Sequence, residues 1–234
     1  AIVLTGISPA AWDKIASTIH FNKFANPGDK IHKGANTLNS RNIGELYMKL
    51  VSQCDMPEEL VIGGHEPATL LTGNMPDLSG LDDIEKMMAL DLLTYLPDDI
   101  LVKVDRAAMA ASLETRAPLL DHRVVEFAWK LPMEYKFFGG VTKSVLREVL
   151  YRHVPKELIE RPKMGFGVPI DRWLRVELRD WAEELLSEER LVQEGYLNPV
   201  PIRKKWAEHL SGKRNWQHQL WNVLMFQAWL KEQK

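Results

Sequence analysis

Apolar residues recur at steps of three and four positions through the second half of the chain, which is the spacing of an amphipathic helix. The first such run, 84–95, is followed by Pro97, so we expect that helix to end there and Asp98 to cap the next one. The final run, 215–230, is apolar nearly all round and predicts a buried, central helix. Other predicted helices contain the apolar positions within 101–113, 124–128, 145–150 and 170–185.

The first third of the chain gives a weaker pattern. Residues 22–42 are rich in Asn, Gly and Lys without a sustained apolar period, which predicts a surface loop. A short helix is expected within 43–54, and a second loop-like stretch covers 63–83. We therefore divide the sequence into a loop-rich segment with short helices, 1–83, and a helical portion, 84–234, which together form one domain.

Strand signals are few and short, chiefly at 1–5 and 114–119. The sequence therefore favours a mainly α fold over an alternating βα pattern. No internal repeat is present in the sequence.

Composition narrows the classes of function. The chain has 234 residues, of which 45% are hydrophobic and 26% charged, which suits one globular domain. Its formal net charge of -2 gives no overall field that would recruit nucleic acid or a membrane surface. A single cysteine, Cys54, fits a reducing compartment, so we expect a cytoplasmic protein. The histidines lack zinc-ligand spacing, and we predict no metal site. No segment approaches the length of a membrane span.

A charged cluster follows the predicted helix that ends near residue 113. Its members are Glu114, Arg116, Asp121 and Arg123. Partial burial would raise the pKa of the Glu114 carboxyl and a nearby arginine would lower it, so this group could serve as a tunable base. The alternative is an ion-pair latch that holds helices together, and residue types alone favour the latch.

A second candidate is the stretch RPKMGFGVPI at 161–170, in which Lys163 precedes Gly165 and Gly167. A lysine on a glycine-rich turn can approach a phosphate closely and neutralise a leaving pyrophosphate. The alternative is a simple connector between helices. No Walker spacing is present, so the motif alone has weak specificity.

Further charges lie in the helix predicted after Pro97. Asp98 and Asp99 stand at its start and are interpreted as caps. Three others interrupt its apolar middle, so at least one should reach a partner in a neighbouring segment, namely Glu114 or Asp121. These three are Lys103, Asp105 and Arg106.

Lys143 and Arg147 are one turn apart on another predicted helix and could add positive charge to the same pocket. Solvated side chains are the favoured interpretation of that pair. The eight tryptophans lack an accompanying basic stripe, so core packing is favoured over stacking on nucleic-acid bases.

Several stretches of the chain, taken in order, carry a family resemblance. They are YLPDDILVKVDRAAMAASLETRAPLLDHRVVEFAWKLP, KSVLREVL, RPKMGFGVPIDRWLR and the tryptophan-rich tail. In order and spacing they resemble the C-terminal synthetase domain of glutamine-hydrolysing asparagine synthetases, over 84–230 and weakly back to Phe24. The resemblance implies the helical portion of an adenine-nucleotide-hydrolase-like (ATP pyrophosphatase) α/β domain, with few or no strands of its own.

The resemblance also implies an activity. In that family a carboxylate is adenylated by ATP, pyrophosphate leaves, and ammonia attacks the acyl-adenylate. The position similar to the family's proton-handling glutamate is Glu114, and the position similar to its phosphate-facing lysine is Lys163. Supporting positions for phosphate or substrate are Asp105, Arg106, Arg116 and Lys143.

The chain departs from the family pattern in three places. It lacks the N-terminal cysteine that hydrolyses glutamine, the Ser-Gly-Gly-x-Asp-Ser loop that binds pyrophosphate, and the acidic loop thought to hold magnesium. ATP and Mg are therefore expected in a full-length parent, none is expected to bind this chain alone, and the chain alone is expected to be inactive.

The expected partners are upstream ATP-binding and glutaminase portions of the same parent, together with small-molecule substrates. An incomplete interface would expose apolar surface, so a homo-oligomer is a further hypothesis. Two other functions stay open: a β-lactam-forming or polysaccharide-modifying amidotransferase, and a non-catalytic helical interaction module.

Overall fold

A computed structural model describes residues 4, 6–18, 27–54, 56–73, 75–160 and 167–233. Backbone contacts divide the chain into two compact units. Unit 1 comprises Ala1–Leu96 and Val168–Lys234, and unit 2 comprises Pro97–Gly167. The division of the sequence at residue 83 stays a prediction.

Unit 1 begins with helices α1 (Pro9–Thr18), α2 (Pro27–Thr37) and α3 (Ile43–Val51). Helix α3 confirms the helix expected within 43–54. The expected loop at 22–42 is wrong over 27–37, and 22–26 lie outside the described residues.

Helix α2 has few apolar residues and packs closely against α1. A Cβ on Gly28 would lie 2.0 Å from the Pro9 carbonyl oxygen, so glycine alone permits this close approach of α1 and α2. The Gly28 N–H also donates to Asp13 Oδ1 over 2.7 Å. Proline at the first helical position suits the start of α2.

A longer helical segment follows, composed of α4 (Asp83–Leu90), a π-helical stretch (Asp91–Leu101) and α5 (Val102–Met109). Asp82 and Glu85 close its start as a reciprocal capping box. The expected stop at Pro97 is wrong, because the chain continues through it in the wider π geometry, which accommodates a ring that would clash within a regular α-helix.

Unit 2 continues with a 3₁₀ turn and short helices around a small hairpin. The elements are the turn Pro118–Leu120, α6 (His122–Lys130), α7 (Met133–Lys136), β1 (Phe137–Phe138), β2 (Val141–Thr142), α8 (Ser144–Tyr151) and α9 (Lys156–Ile159). The strands are antiparallel, with Phe137 opposite Thr142. Gly139 and Gly140 both have positive φ (57° and 82°), as a tight hairpin turn requires.

The strand expected at 114–119 is wrong. That stretch is irregular and runs into the 3₁₀ turn at Pro118, whose missing N–H also disfavours strand pairing. The strand expected at 1–5 lies outside the described residues except for Leu4.

Unit 2 has no hydrophobic core of its own among the residues described. None of its described side chains is buried, and large apolar residues such as Phe127 (62% exposed) and Phe138 (70% exposed) face out of it. Helices α6 and α8 are nevertheless amphipathic, and their apolar faces are among the exposed ones.

The C-terminal helices form the core of unit 1. They are α10 (Ile170–Arg175), α11 (Arg179–Leu185), α12 (Glu188–Glu194), α13 (Pro199–Leu210) and α14 (Gln217–Glu232). The single helix expected over 170–185 is broken at Val176, where φ is −126° and ψ is −80°. Trp206, Ile202 and Leu186 lie at the centre of the core.

Helix α14 is central, as expected, but not buried all round. Leu220 and Leu224 are buried four residues apart, whereas Met225 and Trp229 are exposed at 39% and 57%. The mainly α fold is confirmed, since the described sheet has only two strands of two residues each.

Candidate functional site

The candidate site residues that the structure describes belong to unit 2. Asp105 and Arg106 lie on α5, Glu114 and Arg116 lie in the irregular segment after it, and Lys143 precedes α8. Lys163 lies outside the described residues, so its predicted role remains a prediction.

The backbone at the end of α5 explains why Glu114 leaves the helix. Ser112 has a φ of 56°, in the left-handed region, and the Leu113 N–H donates back to the Ala108 carbonyl over 2.9 Å. Such a reversal satisfies carbonyls at a helix end and directs the following residues away from the axis. Glu114 and Arg116 therefore lie on an irregular, solvent-facing stretch.

Glu114 forms an ion pair with Arg116 two residues along the chain. The two side chains are 72% and 79% exposed, respectively. The expected partial burial of Glu114 is therefore wrong for this structure.

Asp121 and Arg123 form a second local pair. Arg123 Nε and Nη2 donate to the two carboxylate oxygens over 2.9 and 2.8 Å, and the Arg123 backbone N–H adds a third bond at the start of α6. The hydrogen bonds from the Arg123 side chain, followed by that from its backbone, lower the pKa of Asp121. Both ion pairs of the cluster join residues two positions apart, rather than the separate helices that a latch would join.

The charged residues of the helical segment are arranged differently from expectation. Lys103 pairs with Asp99 one turn back, over 2.6 Å. One of the three mid-helix charges was expected to reach Glu114 or Asp121, but those two carboxylates pair with Arg116 and Arg123. Asp105 and Arg106 are exposed on α5. The structure therefore brings together only Glu114 and Arg116 among the described candidates.

Lys143 and Arg147 differ from each other. Lys143 is exposed and has a left-handed backbone with φ of 60°. Arg147 is only 22% exposed; it donates to the Thr142 carbonyl over 3.0 Å and pairs with Glu160. The solvated interpretation is thus wrong for Arg147.

Glu160 forms side-chain contacts that sequence reasoning missed. It accepts hydrogen bonds from Tyr151 and Arg147, which lower its pKa, the Tyr151 bond having the larger effect. It directly precedes 161–166, the segment that contains Lys163. The available signal was the four-residue spacing of Arg147 and Tyr151, which places both on one face of a helix.

The described residues contain neither a cluster of metal-binding side chains nor a membrane-spanning helix. No group of three or more His, Cys, Asp or Glu side chains there is arranged to hold a metal ion. Within the same part of the chain, no helix combines the length and apolar character needed to cross a bilayer.

Comparison with known proteins gives one consistent set of relatives. The family model described as asparagine synthase matches residues 11–231. The glutamine-hydrolysing asparagine synthetase 1 of Bacillus subtilis is 36% identical over 151 residues, covering 64% of this chain and 24% of that protein. A putative glutamine-hydrolysing asparagine synthetase of Mycobacterium tuberculosis is 36% identical over 205 residues, covering 85% of this chain and 30% of the relative.

A mammalian relative is more distant. The glutamine-hydrolysing asparagine synthetase of Mus musculus is 29% identical over 147 residues, covering 54% of this chain and 25% of that protein. No solved structure matches the chain. The chain spans less than a third of the length of these relatives, at 24% to 30%.

Proposed function

Because this chain belongs to the asparagine synthase family, we propose that it contributes to an ATP-dependent carbon–nitrogen ligase that converts aspartate to asparagine. The observation that carries the proposal is the family match over 11–231, which is almost the whole chain and contains Glu114, Arg116 and Lys163.

The proposed reaction has two steps. An aspartate carboxylate oxygen attacks the α-phosphorus of ATP, and pyrophosphate leaves with the electrons of the broken P–O bond. Ammonia then attacks the acyl carbon, AMP leaves, and the nitrogen loses a proton. The sum is aspartate, ATP and ammonia giving asparagine, AMP, pyrophosphate and a proton.

Each proposed residue acts at one of these steps. Glu114 accepts the proton from the attacking nitrogen, and its ion pair with Arg116 restrains the carboxylate for that role. Lys163 neutralises charge that develops on the leaving pyrophosphate. Glu160, held by Tyr151 and Arg147, positions the start of the Lys163 segment.

We further propose that the chain acts within a longer polypeptide whose other portions bind ATP and release ammonia from glutamine. Two observations support this: the chain spans only 24% to 30% of its relatives, and the apolar faces of unit 2 are uncovered. The resemblance implies Mg²⁺ in the full-length parent, and we assign the ion no ligand among the described residues.

The first test of the catalytic assignment is Glu114→Gln in the complete gene product. We expect loss of asparagine formation, because the amide removes the proton acceptor but keeps the side-chain shape. General-base groups contribute about 10²- to 10⁴-fold to rate. The fold should be unchanged, since the side chain is 72% exposed.

The matched control is Glu126→Gln, which removes another exposed carboxylate of unit 2 and should retain activity. Circular dichroism of both variants checks the fold. Wild-type turnover in the Glu114 variant would refute the assignment.

A second measurement tests the longer polypeptide. AMP release from ATP, aspartate and ammonium should occur with the complete gene product and not with residues 1–234 alone. Activity in neither would favour a helical interaction module, and activity in the short chain would contradict the proposal that its ATP-binding portion lies elsewhere.

A further inference from the structure

Unit 1 contains a polar cleft of about 360 Å³ that the proposed reaction does not use. Its walls come from α2, the C-terminal end of α3 and the N-terminal end of α14. Its volume lies within the usual range for small-molecule sites. All its lining residues belong to unit 1, whereas Glu114 belongs to unit 2, so the inference is independent of the proposed function.

The cleft concentrates positive charge. Four basic side chains line it, and no carboxylate is among its described lining residues. The chain as a whole has a net charge of -2, so this concentration is local. The four are Lys30, Lys33, Lys49 and Arg214.

The basic side chains of the cleft differ in whether a carboxylate of the chain already pairs with them. Lys49 pairs with Glu45 over 2.8 Å, which satisfies part of its charge. Lys33 and Arg214 are exposed and form no ion pair with any residue that the structure describes. Arg214 lies over the Trp216 ring at 3.8 Å, which restrains its guanidinium at the cleft wall.

The backbone of α14 adds to the positive electrostatic potential of the cleft. Helix α14 has 16 residues, and its first turn, which begins at the cleft, has no acidic residue. A helix N-terminus carries a partial positive charge that favours anions. The first N–H of this helix, that of Gln217, is bonded to Asn215 Oδ1 over 3.0 Å, so what the helix contributes to the cleft is the partial charge. Amide side chains, including those of Gln53 and Gln217, also line the cleft. They can form hydrogen bonds with the uncharged polar groups of a ligand, so the cleft suits a polar molecule better than an acyl chain.

We propose that this cleft binds a soluble, phosphate-bearing small molecule. Cationic side chains from two separate parts of unit 1 line the cleft beside a helix N-terminus, and two of them, Lys33 and Arg214, form no ion pair with a described residue. A multiply charged phosphate offers the acceptor oxygens that this arrangement requires.

Inorganic tripolyphosphate is the probe for the first test. Titration calorimetry of the purified chain at low ionic strength should show saturable binding with one site, weakened by added NaCl because exposed charges are screened. The variant pair Lys33→Gln with Arg214→Gln should raise the Kd by about tenfold or more, since two charge-assisted contacts are removed.

The control pair is Lys14→Gln with Lys204→Gln. It removes the same net charge from exposed positions of unit 1 that do not line the cleft, and should change the Kd by less than about twofold. Arg214→Lys, which keeps the charge, should lie between wild type and the double variant. Circular dichroism confirms that each variant is folded.

Three results would overturn the proposal. These are the absence of saturable binding by the wild type, equal weakening in the cleft and control pairs, and binding of phosphatidic acid vesicles that tripolyphosphate does not displace. The last would assign the cleft to a lipid surface instead of a soluble ligand.

Discussion

His209 is the one titratable side chain in the described core that is fully enclosed, at 0% exposure. Its Nδ1 accepts a hydrogen bond from the Trp216 N–H over 3.2 Å, and its Nε2 lies 3.8 Å from Asp171 Oδ1. Burial lowers the pKa of His209, the positive charge of Arg175 lowers it further, and Asp171 opposes both. The ring is therefore neutral at pH 7.

This histidine predicts a pH dependence of stability. As pH falls below the usual histidine value of 6.5, the unfolded chain takes up a proton that the folded chain resists. The free energy of unfolding should therefore decrease from pH 6.5 downward, until the folded pKa is passed. Urea midpoints measured from pH 8 to pH 5 check this.

The His209→Gln variant should lose that slope, whereas the exposed His218→Gln control should keep it. Glu183 and Glu208 have lowered pKa values, so their protonation also reduces the free energy of unfolding as pH falls. That loss begins only near their ordinary value of 4.5, at a lower pH than the loss due to His209. An identical slope in the His209 variant would contradict the assignment.

The sequence shows which charged residues are neighbours along the chain, but not which side chains pair in the structure. The charged cluster after α5 is visible in the sequence, but its pairs, Glu114 with Arg116 and Asp121 with Arg123, depend on the backbone conformation at Ser112 and on a helix cap. Neither the backbone conformation at Ser112 nor the helix cap produces a hydrophobic pattern that could be detected in the sequence. Glu160 was missed because its partners, Arg147 and Tyr151, are 13 and 9 residues away along the chain.

At the scale of elements, amphipathic spacing located α6 and α8 well, because a repeating apolar face is needed wherever a helix packs. It failed at α2, where Gly28 permits contact with α1, and at Pro97, where a wide helical turn absorbs the proline. In both places a contact or a backbone geometry overrides the local preference. The basic cleft was missed for the same reason, since α2, which carries Lys30 and Lys33, was interpreted as loop.

Two glycines give a matched prediction at this scale. Gly195 ends α12 with φ of 74°, and Gly34 lies inside α2; a Cβ at either would meet no atom within 4 Å. Gly195→Ala should destabilise unit 1 by about 1 to 2 kcal/mol, the cost of a left-handed residue with a Cβ.

The same substitution at Gly34 should stabilise by up to about 1 kcal/mol, because alanine is the better helix former. Chemical denaturation of both variants compares the two free energies of unfolding. Shifts of the same sign would show that one of the two backbone conformations differs from the one described.

At the scale of the whole molecule, the described core lies entirely in unit 1, around Leu174, Trp206 and Leu224. Composition predicted a chain able to bury a core, but not that the described part of unit 2 would lack one. The amphipathic spacing of α6 and α8 predicts that they are helices, but it does not tell whether their apolar faces are covered or exposed.

Hydrogen exchange should separate the two units. Amides of α11, α13 and α14 should exchange slowly, because opening them exposes the core, while those of α6 and α8 should exchange quickly. Mass spectrometry of peptides after timed deuteration measures both sets together. Equal protection would mean that unit 2 is stabilised by contacts other than burial within itself.

The order of the units along the chain has a consequence for the unfolded ensemble. Unit 2 is inserted in unit 1, since the chain leaves at Leu96 and re-enters at Val168. While unit 1 stays folded, an unfolded unit 2 is a tethered loop with both ends fixed, and it has fewer conformations than a free peptide of the same length. Its folding therefore costs less chain entropy in place than in isolation, much as a cross-link stabilises the segment that it closes.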